Sequence, residues 1–518
     1  MQTLVGFFLI TLPWLNPFTP GPSPAVMPWL VSLAATAGLI FLASLRRLTE
    51  TPEDRGDVAQ RWASALAWAL VFAGLLSSGM ALLQYFGAAH ALSPWVNQAQ
   101  PGEAFANLRQ RNQLASLTNM ALVALLWLAR GHGLPRCARN DEKLNRCPAL
   151  MWLAAGLLSA ANAATVSRTG LVQLVLLLGL SWLWGGWRQP RLRGVLISSA
   201  LVYLLASQWL LPWVGGLGAT AGQGALPGEI HGALARLRDG DALCGSRLTL
   251  WANVLHLIAQ KPWLGWGWGE LAYAHFITLY DSPRFCDILG NAHNLPLHLA
   301  VTLGVPAALL LCGAALGLVL RARPWREVDP TRQMAWGVLG VMGLHSLLEF
   351  PLWFGPFLMA AGLCVLLLYL TRLSLATVHA VSVIPRLPKT RKPFDGLRAN
   401  GMRVLSLALI TVVAYAAWDY DRISQIYLPP ERRASAYREH TLEKISASWL
   451  FRQQVRFAEL TTTPLTLDNA AHLNALAHDL LHYSPEARVV EKLIASAQLL
   501  GRTQEALYFE KRLRAAYP

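Results

Sequence analysis

Six residues stand out as able to do chemistry in a chain otherwise short of charge: Arg168, Arg247, His293, His345, Glu349 and Gln113. Arg168 lies in Ser167-Arg168-Thr169-Gly170, and Arg247 in Ser246-Arg247-Leu248-Thr249-Leu250-Trp251. His293 sits in Gly290-Asn291-Ala292-His293-Asn294-Leu295-Pro296-Leu297-His298, at the start of a long apolar run. His345 and Glu349 are four residues apart, in His345-Ser346-Leu347-Leu348-Glu349-Phe350-Pro351-Leu352-Trp353-Phe354. Gln113 follows Arg111-Asn112. Paired guanidinium forks match the oxygens of a phosphate or diphosphate and stay charged. A histidine accepts a proton from an attacking hydroxyl. Each residue also has a plainer reading. A lone arginine at a helix end reaches for lipid headgroups, and an interfacial histidine is usually a packing residue, the class to which His298 is assigned. The run Gly265-Trp266-Gly267-Trp268-Gly269 fits an interfacial aromatic belt.

What decides between these readings is where the elements place the residues. The chain has 518 residues, 54% hydrophobic and 14% charged, with 21 tryptophans. Soluble domains average about 25% charged residues, so the balance points to an all-α polytopic membrane helix bundle. The formal charge of +15 resembles that of a nucleic-acid-binding protein, but the basic residues fall in short connections between apolar runs. That pattern belongs to a membrane protein retaining Lys and Arg on one side, and no nucleic-acid partner is expected. Apolar stretches lie near 3–15, 26–45, 62–86, 113–128, 149–165, 169–187, 194–214, 295–320, 334–348, 354–370 and 404–418, which makes about eleven spans. The first is short, but it lacks a basic leader and a small-residue cleavage site and is read as a retained helix.

Every second connection is basic. Arg46, Arg47, Arg55 and Arg61 follow the second span, and Arg130, Arg136, Arg139, Lys143 and Arg146 the fourth. Arg188, Arg191 and Arg193 follow the sixth, Arg321, Arg323, Arg326 and Arg332 the eighth, and Arg386, Lys389, Arg391, Lys392, Arg398 and Arg403 the tenth. The positive-inside rule then gives an inside N-terminus and an outside C-terminus, which an odd number of spans requires. Four regions follow: a seven-span part over 1–214, a large outer loop over 215–292, a four-span part over 293–418 and an outer α-helical domain over 419–518. In the last, Ser484 is expected to cap a helix, Pro485 to occupy its first position and Gly501 to end it, giving a tetratricopeptide-like pair. Cys137 and Cys147 fall on the inside, Cys312 and Cys364 within spans, and Cys244 and Cys286 together in the outer loop. A disulfide is permitted there, and its formation is left open.

With this topology all six candidate residues share the outer face, and ionisable groups at one membrane surface mark a substrate site. A lipid-linked diphosphate would be both a ligand for arginines and a leaving group, with a histidine as base for an acceptor hydroxyl. The scheme requires neither metal nor cofactor.

The motifs resemble those of the bacterial O-antigen ligases, O-antigen polymerases and protein O-oligosaccharyltransferases. The matching pieces are the Ser-Arg-x-Gly turn at Ser167, the Ser-Arg-Leu helix start at Ser246, the Pro-x-Leu-Gly-x-Gly segment from Pro262 and Ala292-His293-Asn294. Asn16-Pro17, Arg111-Asn112-Gln113-Leu114-Ala115, His-Ser-Leu-Leu-Glu-x-Pro-Leu-Trp and the helical tail look most like the pilin-type O-oligosaccharyltransferases. The resemblance implies an inner-membrane enzyme facing the periplasm, with an undecaprenyl-diphosphate-linked oligosaccharide as donor. It implies a Ser or Thr of a pilin-like or other periplasmic protein as acceptor. It makes His293 the catalytic base, and Arg168, Arg247, Gln113, His345 and Glu349 the diphosphate and glycan contacts. Phe350 and Phe354 stand where relatives often carry tyrosine, and Thr302 where they often carry glutamate, which bears on substrate preference. Rival readings are an O-antigen ligase acting on lipid A-core, an O-antigen polymerase and, from another class, a lipid-linked-sugar transporter. No internal repeat of the transporter kind is apparent in the sequence.

Overall fold

A chain crossing a bilayer has to satisfy its backbone polar groups internally, and helices do so segment by segment. The computed structural model describes residues 2–45, 52–131, 147–220, 245–381 and 394–517, and these hold helices and turns with no strand among them. The first seven helices are α1 (Gln2–Leu15), α2 (Val26–Ser44), α3 (Pro52–Tyr85), α4 (Arg111–Ala129), α5 (Cys147–Ala164), α6 (Arg168–Leu183) and α7 (Pro190–Thr220). The middle of the chain forms α8 (Arg247–Gln260), α9 (Leu271–Ile277), α10 (Leu295–Leu303), α11 (Val305–Ala322), α12 (Pro330–Ser346), α13 (Gly355–Val381) and α14 (Phe394–Ser424). The C-terminal part forms α15 (Thr441–Ile445), α16 (Arg452–Thr462), α17 (Ala470–Tyr483), α18 (Ala487–Leu499) and α19 (Thr503–Ala516).

Among the described residues seven helices are long and apolar enough to cross a membrane, and three more apolar helices are shorter. The chain is a polytopic membrane protein. Leu66, Leu70, Leu117, Met120, Leu158, Val338 and Phe357 belong to one continuous core, to which α3, α4, α5, α12 and α13 all contribute. α4 is its central helix, whereas α11 and α14 bury little of their length.

Two expected spans differ. The run 334–348, largely within α12, is among neither the seven nor the three. The apolar run 295–320 is not one helix: it breaks at Gly304, between α10 and α11. Gly304 has φ +89°, and a Cβ there would sit 2.0 Å from the Trp263 carbonyl oxygen. The break admits the segment after α8, whose backbone bonds across it: Val305 N–H to Pro262 O at 2.8 Å and Trp266 N–H to Val301 O at 2.8 Å. An apolar run reports burial, and it does not report a glycine chosen for close backbone approach.

The bundle has two polar ends. At one, Trp184 Nε1 donates to Pro324 O at 2.8 Å, Arg130 bonds Gln333, and Trp127 Nε1 donates to Thr331 at 3.2 Å. This is the end of the basic connections. At the other, Asn107 Nδ2 donates to Leu15 O at 2.9 Å and Trp29 Nε1 to Trp353 O at 2.8 Å. The C-terminal domain lies at this second end: His482 Nδ1 pairs with Glu270 Oε2 at 2.7 Å, and Arg512 Nε donates to Ile277 O at 2.9 Å. Phe276 of α9 enters the domain's core beside Leu473, Leu480, Val489 and Phe509.

Within that domain α18 starts two residues later than expected. Glu486, not Ser484, precedes its first turn, and the Ser484 hydroxyl donates to Glu486 Oε1 at 3.0 Å instead. Gly501 does end the helix, at φ +72°. Its N–H bonds Gln498 O at 3.0 Å and the Arg502 N–H bonds Ala497 O at 2.8 Å, the paired bonds of a Schellman termination. Cys286 is disulfide-bonded, while Cys137 and Cys244 lie outside the described residues. Cys312 and Cys364 are free.

Candidate active site

Three helices begin at the second polar end, each with a side-chain cap. The Ser167 hydroxyl accepts from Gly170 N at 3.0 Å to start α6, the Ser246 hydroxyl from Thr249 N at 3.1 Å to start α8, and Asn294 Oδ1 from Leu297 N at 3.0 Å to start α10. The residue beside each cap is a candidate: Arg168 and Arg247 are the first helical residues of α6 and α8, and His293 precedes the cap of α10. A helix N-terminus carries partial positive charge and ordinarily attracts acidic side chains. Placing arginines there instead builds positive potential at one spot, an arrangement suited to an anion. In the Ser-Arg-x-Gly turn, glycine is required for packing: a Cβ on Gly170 would lie 2.3 Å from Asn162 Oδ1 and 2.7 Å from Ala115 Cβ.

Glu349 joins these helix starts. It follows α12, is 4% exposed, and its two carboxylate oxygens are used separately. Oε2 meets His293 Nδ1 at 2.6 Å; Oε1 accepts from Arg247 and from Asn112 Nδ2, the latter at 2.9 Å. Arg247 also donates to Leu348 O. The Ser167 hydroxyl donates to Asn112 Oδ1 at 2.6 Å, so Asn112 ties the start of α6 to the carboxylate. Asn294 Nδ2 donates to Leu347 O at 2.9 Å and ties in the start of α10. Burial alone would raise the Glu349 carboxyl, but the His293 hydrogen bond and the charges around it hold it below the ordinary carboxylate range.

His293 is held in a left-handed conformation, φ +49°. Such a backbone costs on the order of 1–3 kcal/mol in a non-glycine residue and persists only where its surroundings determine it. Here they do. Asn291 Oδ1 accepts the His293 N–H at 3.0 Å, and Trp251 Nε1 of α8 donates to Ala292 O at 3.1 Å. The His298 Nδ1 lies 3.4 Å from Ala292 N, and the His298 ring is enclosed by Trp268 and Trp353. Leu250, Val254 and Leu257 of α8 share a small core with Ala292 and Val301, which locks the arginine-bearing helix to the histidine turn. The His293 ring meets Phe350 edge-on, at a centroid distance of 4.9 Å.

The six residues separate by position. Arg247, His293 and Glu349 form one constellation. Arg168 is half-buried at the start of α6 and joined to it through Ser167 and Asn112. His345 was expected to contact substrate, but it is fully buried; its Nδ1 lies 2.8 Å from the Ser116 hydroxyl, which accepts from Gln173 Nε2 at 2.7 Å. Gln113, expected in the same role, is 2% exposed on α4. Both lie in the layer behind the site. The sequence gives no signal that singles out Asn112 over its neighbour Gln113, or that marks Ser116 and Gln173, because polar residues in an apolar helix do not show which way they face.

Family comparisons cover most of these positions. A model described as O-Antigen ligase matches residues 153–312, which include Arg168, Arg247 and His293. A Protein glycosylation ligase model matches 104–129, including Asn112 and Gln113, and one described as Virulence factor membrane-bound polymerase, C-terminal, matches 333–518. The chain is therefore similar, over parts of its length, to the O-antigen ligase and protein glycosylation ligase families. The chain is 25% identical over 329 residues to a General O-oligosaccharyltransferase of Acinetobacter baylyi, covering 61% of this chain and 51% of that protein. It is 24% identical over 261 residues to a ComP-specific O-oligosaccharyltransferase of the same organism, covering 50% of this chain and 43% of that protein. The chain spans about half the length of the curated relatives it matches.

Proposed function

We propose that this protein is an O-oligosaccharyltransferase that moves a glycan en bloc from undecaprenyl diphosphate to a Ser or Thr hydroxyl of a pilin-like or other periplasmic protein. It would lie in the inner membrane with about eleven crossings, its N-terminus inside and its site and C-terminal domain in the periplasm. The observation that carries the reading is the Arg247–Glu349–His293 constellation at the meeting of three capped helix starts. Glu349 takes the Nδ1 side of His293, which leaves Nε2 as the acceptor nitrogen. The acceptor oxygen attacks the anomeric carbon as its proton passes to Nε2. The bond from that carbon to the diphosphate oxygen breaks, and the lipid diphosphate leaves with the electron pair. Arg247 uses Nη1 and Nη2 on Leu348 and Glu349, and a guanidinium carries five N–H donors, so donors remain for the diphosphate. Arg168 and the helix N-termini add to the same potential.

Support for a lipid donor comes from an apolar cavity of about 370 Å³ between α2 and α13. It begins at Trp29 and Gly355, beside Trp353, and continues to Ala43 and Leu366. Support for a protein acceptor comes from the match of 104–129 to the Protein glycosylation ligase model and from the O-oligosaccharyltransferase names of the two relatives. The second reading, an O-antigen ligase using lipid A-core, is favoured by the family match over 153–312. Co-expression with a glycan-lipid pathway and a pilin-like protein, followed by intact mass spectrometry, separates the two. Glycan on the protein supports the proposal, and glycan found only on lipid A-core overturns it.

A further inference from the structure

α8 is apolar on two faces. Leu250, Val254 and Leu257 face the small core that holds the histidine turn. On the opposite side Leu248, Ala252, Leu255 and Ala259 form an exposed stripe at helical spacing. The stripe runs on into Trp263 and Leu264, the latter 86% exposed. A water-facing helix would carry charge on that side.

The neighbouring helix shows what covers it. α11 buries only Ala308 and exposes Leu309, Leu310, Leu316, Leu318 and Leu320 around its circumference. Its 18 residues span roughly 27 Å, close to the thickness of a hydrocarbon core. It is therefore lipid-facing over its length, and its first residue, Val305, marks one edge of the hydrocarbon. The Val305 N–H bonds Pro262 O at 2.8 Å, and the Gly304 backbone packs against Trp263. The exposed Trp263 and Leu264 are thus fixed at that edge, continuous with the lipid-facing surface. Lys261, with its ammonium 4.1 Å over the Trp266 ring, and Trp268 supply the mixed cationic and aromatic girdle of an interface.

We propose that α8 and the turn after it form a foot seated in the bilayer on the site's side, with Leu248, Leu255, Trp263 and Leu264 among the acyl chains. The described part of the large loop, from Arg247 to Trp268, is then not an aqueous appendage. The bilayer positions it, and Arg247, the first residue of the foot, is held at the level of lipid phosphates. The seating stands independently of the transfer reading, which it would serve by setting the height of the site.

The test is collision electron paramagnetic resonance on the full chain in phospholipid vesicles, with the cysteines outside the Cys286 disulfide replaced. Single nitroxides go at Leu255 and Leu264, with Leu316 of α11 as lipid control and Leu467 of the C-terminal domain as aqueous control. The proposal expects an oxygen-to-nickel-chelate accessibility ratio at both positions matching Leu316, at least several-fold above Leu467. A ratio equal to that at Leu467 overturns it. Shielding from both reagents also overturns it, because that marks a protein partner or a second copy on the stripe. A label at Ala252 repeats the measurement if either leucine position fails to fold.

Discussion

Glu349 organises the site by using each carboxylate oxygen for a different neighbour, so removing its charge should harm both. Glu349→Gln keeps the shape, but it leaves Arg247 without its counter-charge and His293 without its orienting acceptor. Breaking such a buried pair costs about 3–5 kcal/mol, and a thermal melt of the purified variant is expected to register it alongside lost transfer. The sign of its pH dependence follows from the depressed carboxyl. The contribution is complete above the unfolded value near 4.5 and is lost as pH falls through the lower folded value. Wild type should therefore keep its advantage over Glu349→Gln from pH 7 down to about pH 5. Arg247→Lys retains charge without the fork, and transfer is expected to drop at least tenfold in a vesicle assay; unchanged turnover would show that the fork has no part in it. Arg247, His293 and Glu349 were legible in the sequence because each sits where an apolar helix starts or stops. The choice between Asn112 and Gln113 was not, since consecutive helical residues point about 100° apart, and only the packed bundle shows that Asn112 meets Glu349.

At the scale of elements, the histidine turn is positioned by the α8–α10 core and by the break at Gly304. Val254 and Leu257 are fully buried there, so Val254→Ala or Leu257→Ala should loosen the loop, the larger truncation by about 2–5 kcal/mol. Hydrogen exchange across 290–298 is the readout. Gly304→Ala has no room for its methyl and is expected to abolish transfer, while Gly313→Ala, where a Cβ meets nothing within 4 Å, should be silent. His275 gives the loop a pH dependence of its own. Burial, with Arg284 nearby, pushes it down to about 3, and it bonds Tyr280 and Phe285. The unfolded chain takes up a proton near pH 6.5 and the folded one does not, so this contribution is present above pH 6.5 and declines as pH falls toward 3. Melting of wild type should drop more between pH 7 and pH 5 than that of His275→Gln; equal drops would contradict it. Helical period and length disclosed most of these helices. They missed the Gly304 break and placed the α18 cap two residues early, because one glycine or one serine carries several local meanings until a neighbour is present.

Among the described residues, two polar ends enclose an apolar bundle, and the capped helix starts, the loop residues 245–292 and the C-terminal domain all gather at one of them. Alternation of basic connections made that arrangement readable in advance, since charge placement is a global pattern. Docking of α9 into the C-terminal core was not readable, because Phe276 and its partners lie some two hundred positions apart in the sequence. Phe276→Ala should speed exchange in α17 as well as in α9 if the domain and the loop hold each other. We propose that His293, oriented by Glu349, takes the proton of an acceptor hydroxyl. The most direct test is transfer by purified protein in vesicles containing undecaprenyl-diphosphate-linked glycan and a pilin-like acceptor, read by intact mass. Wild type should add one glycan mass to the acceptor, and His293→Ala should add none while remaining folded and still binding donor. Equal glycan addition by His293→Ala would contradict the account.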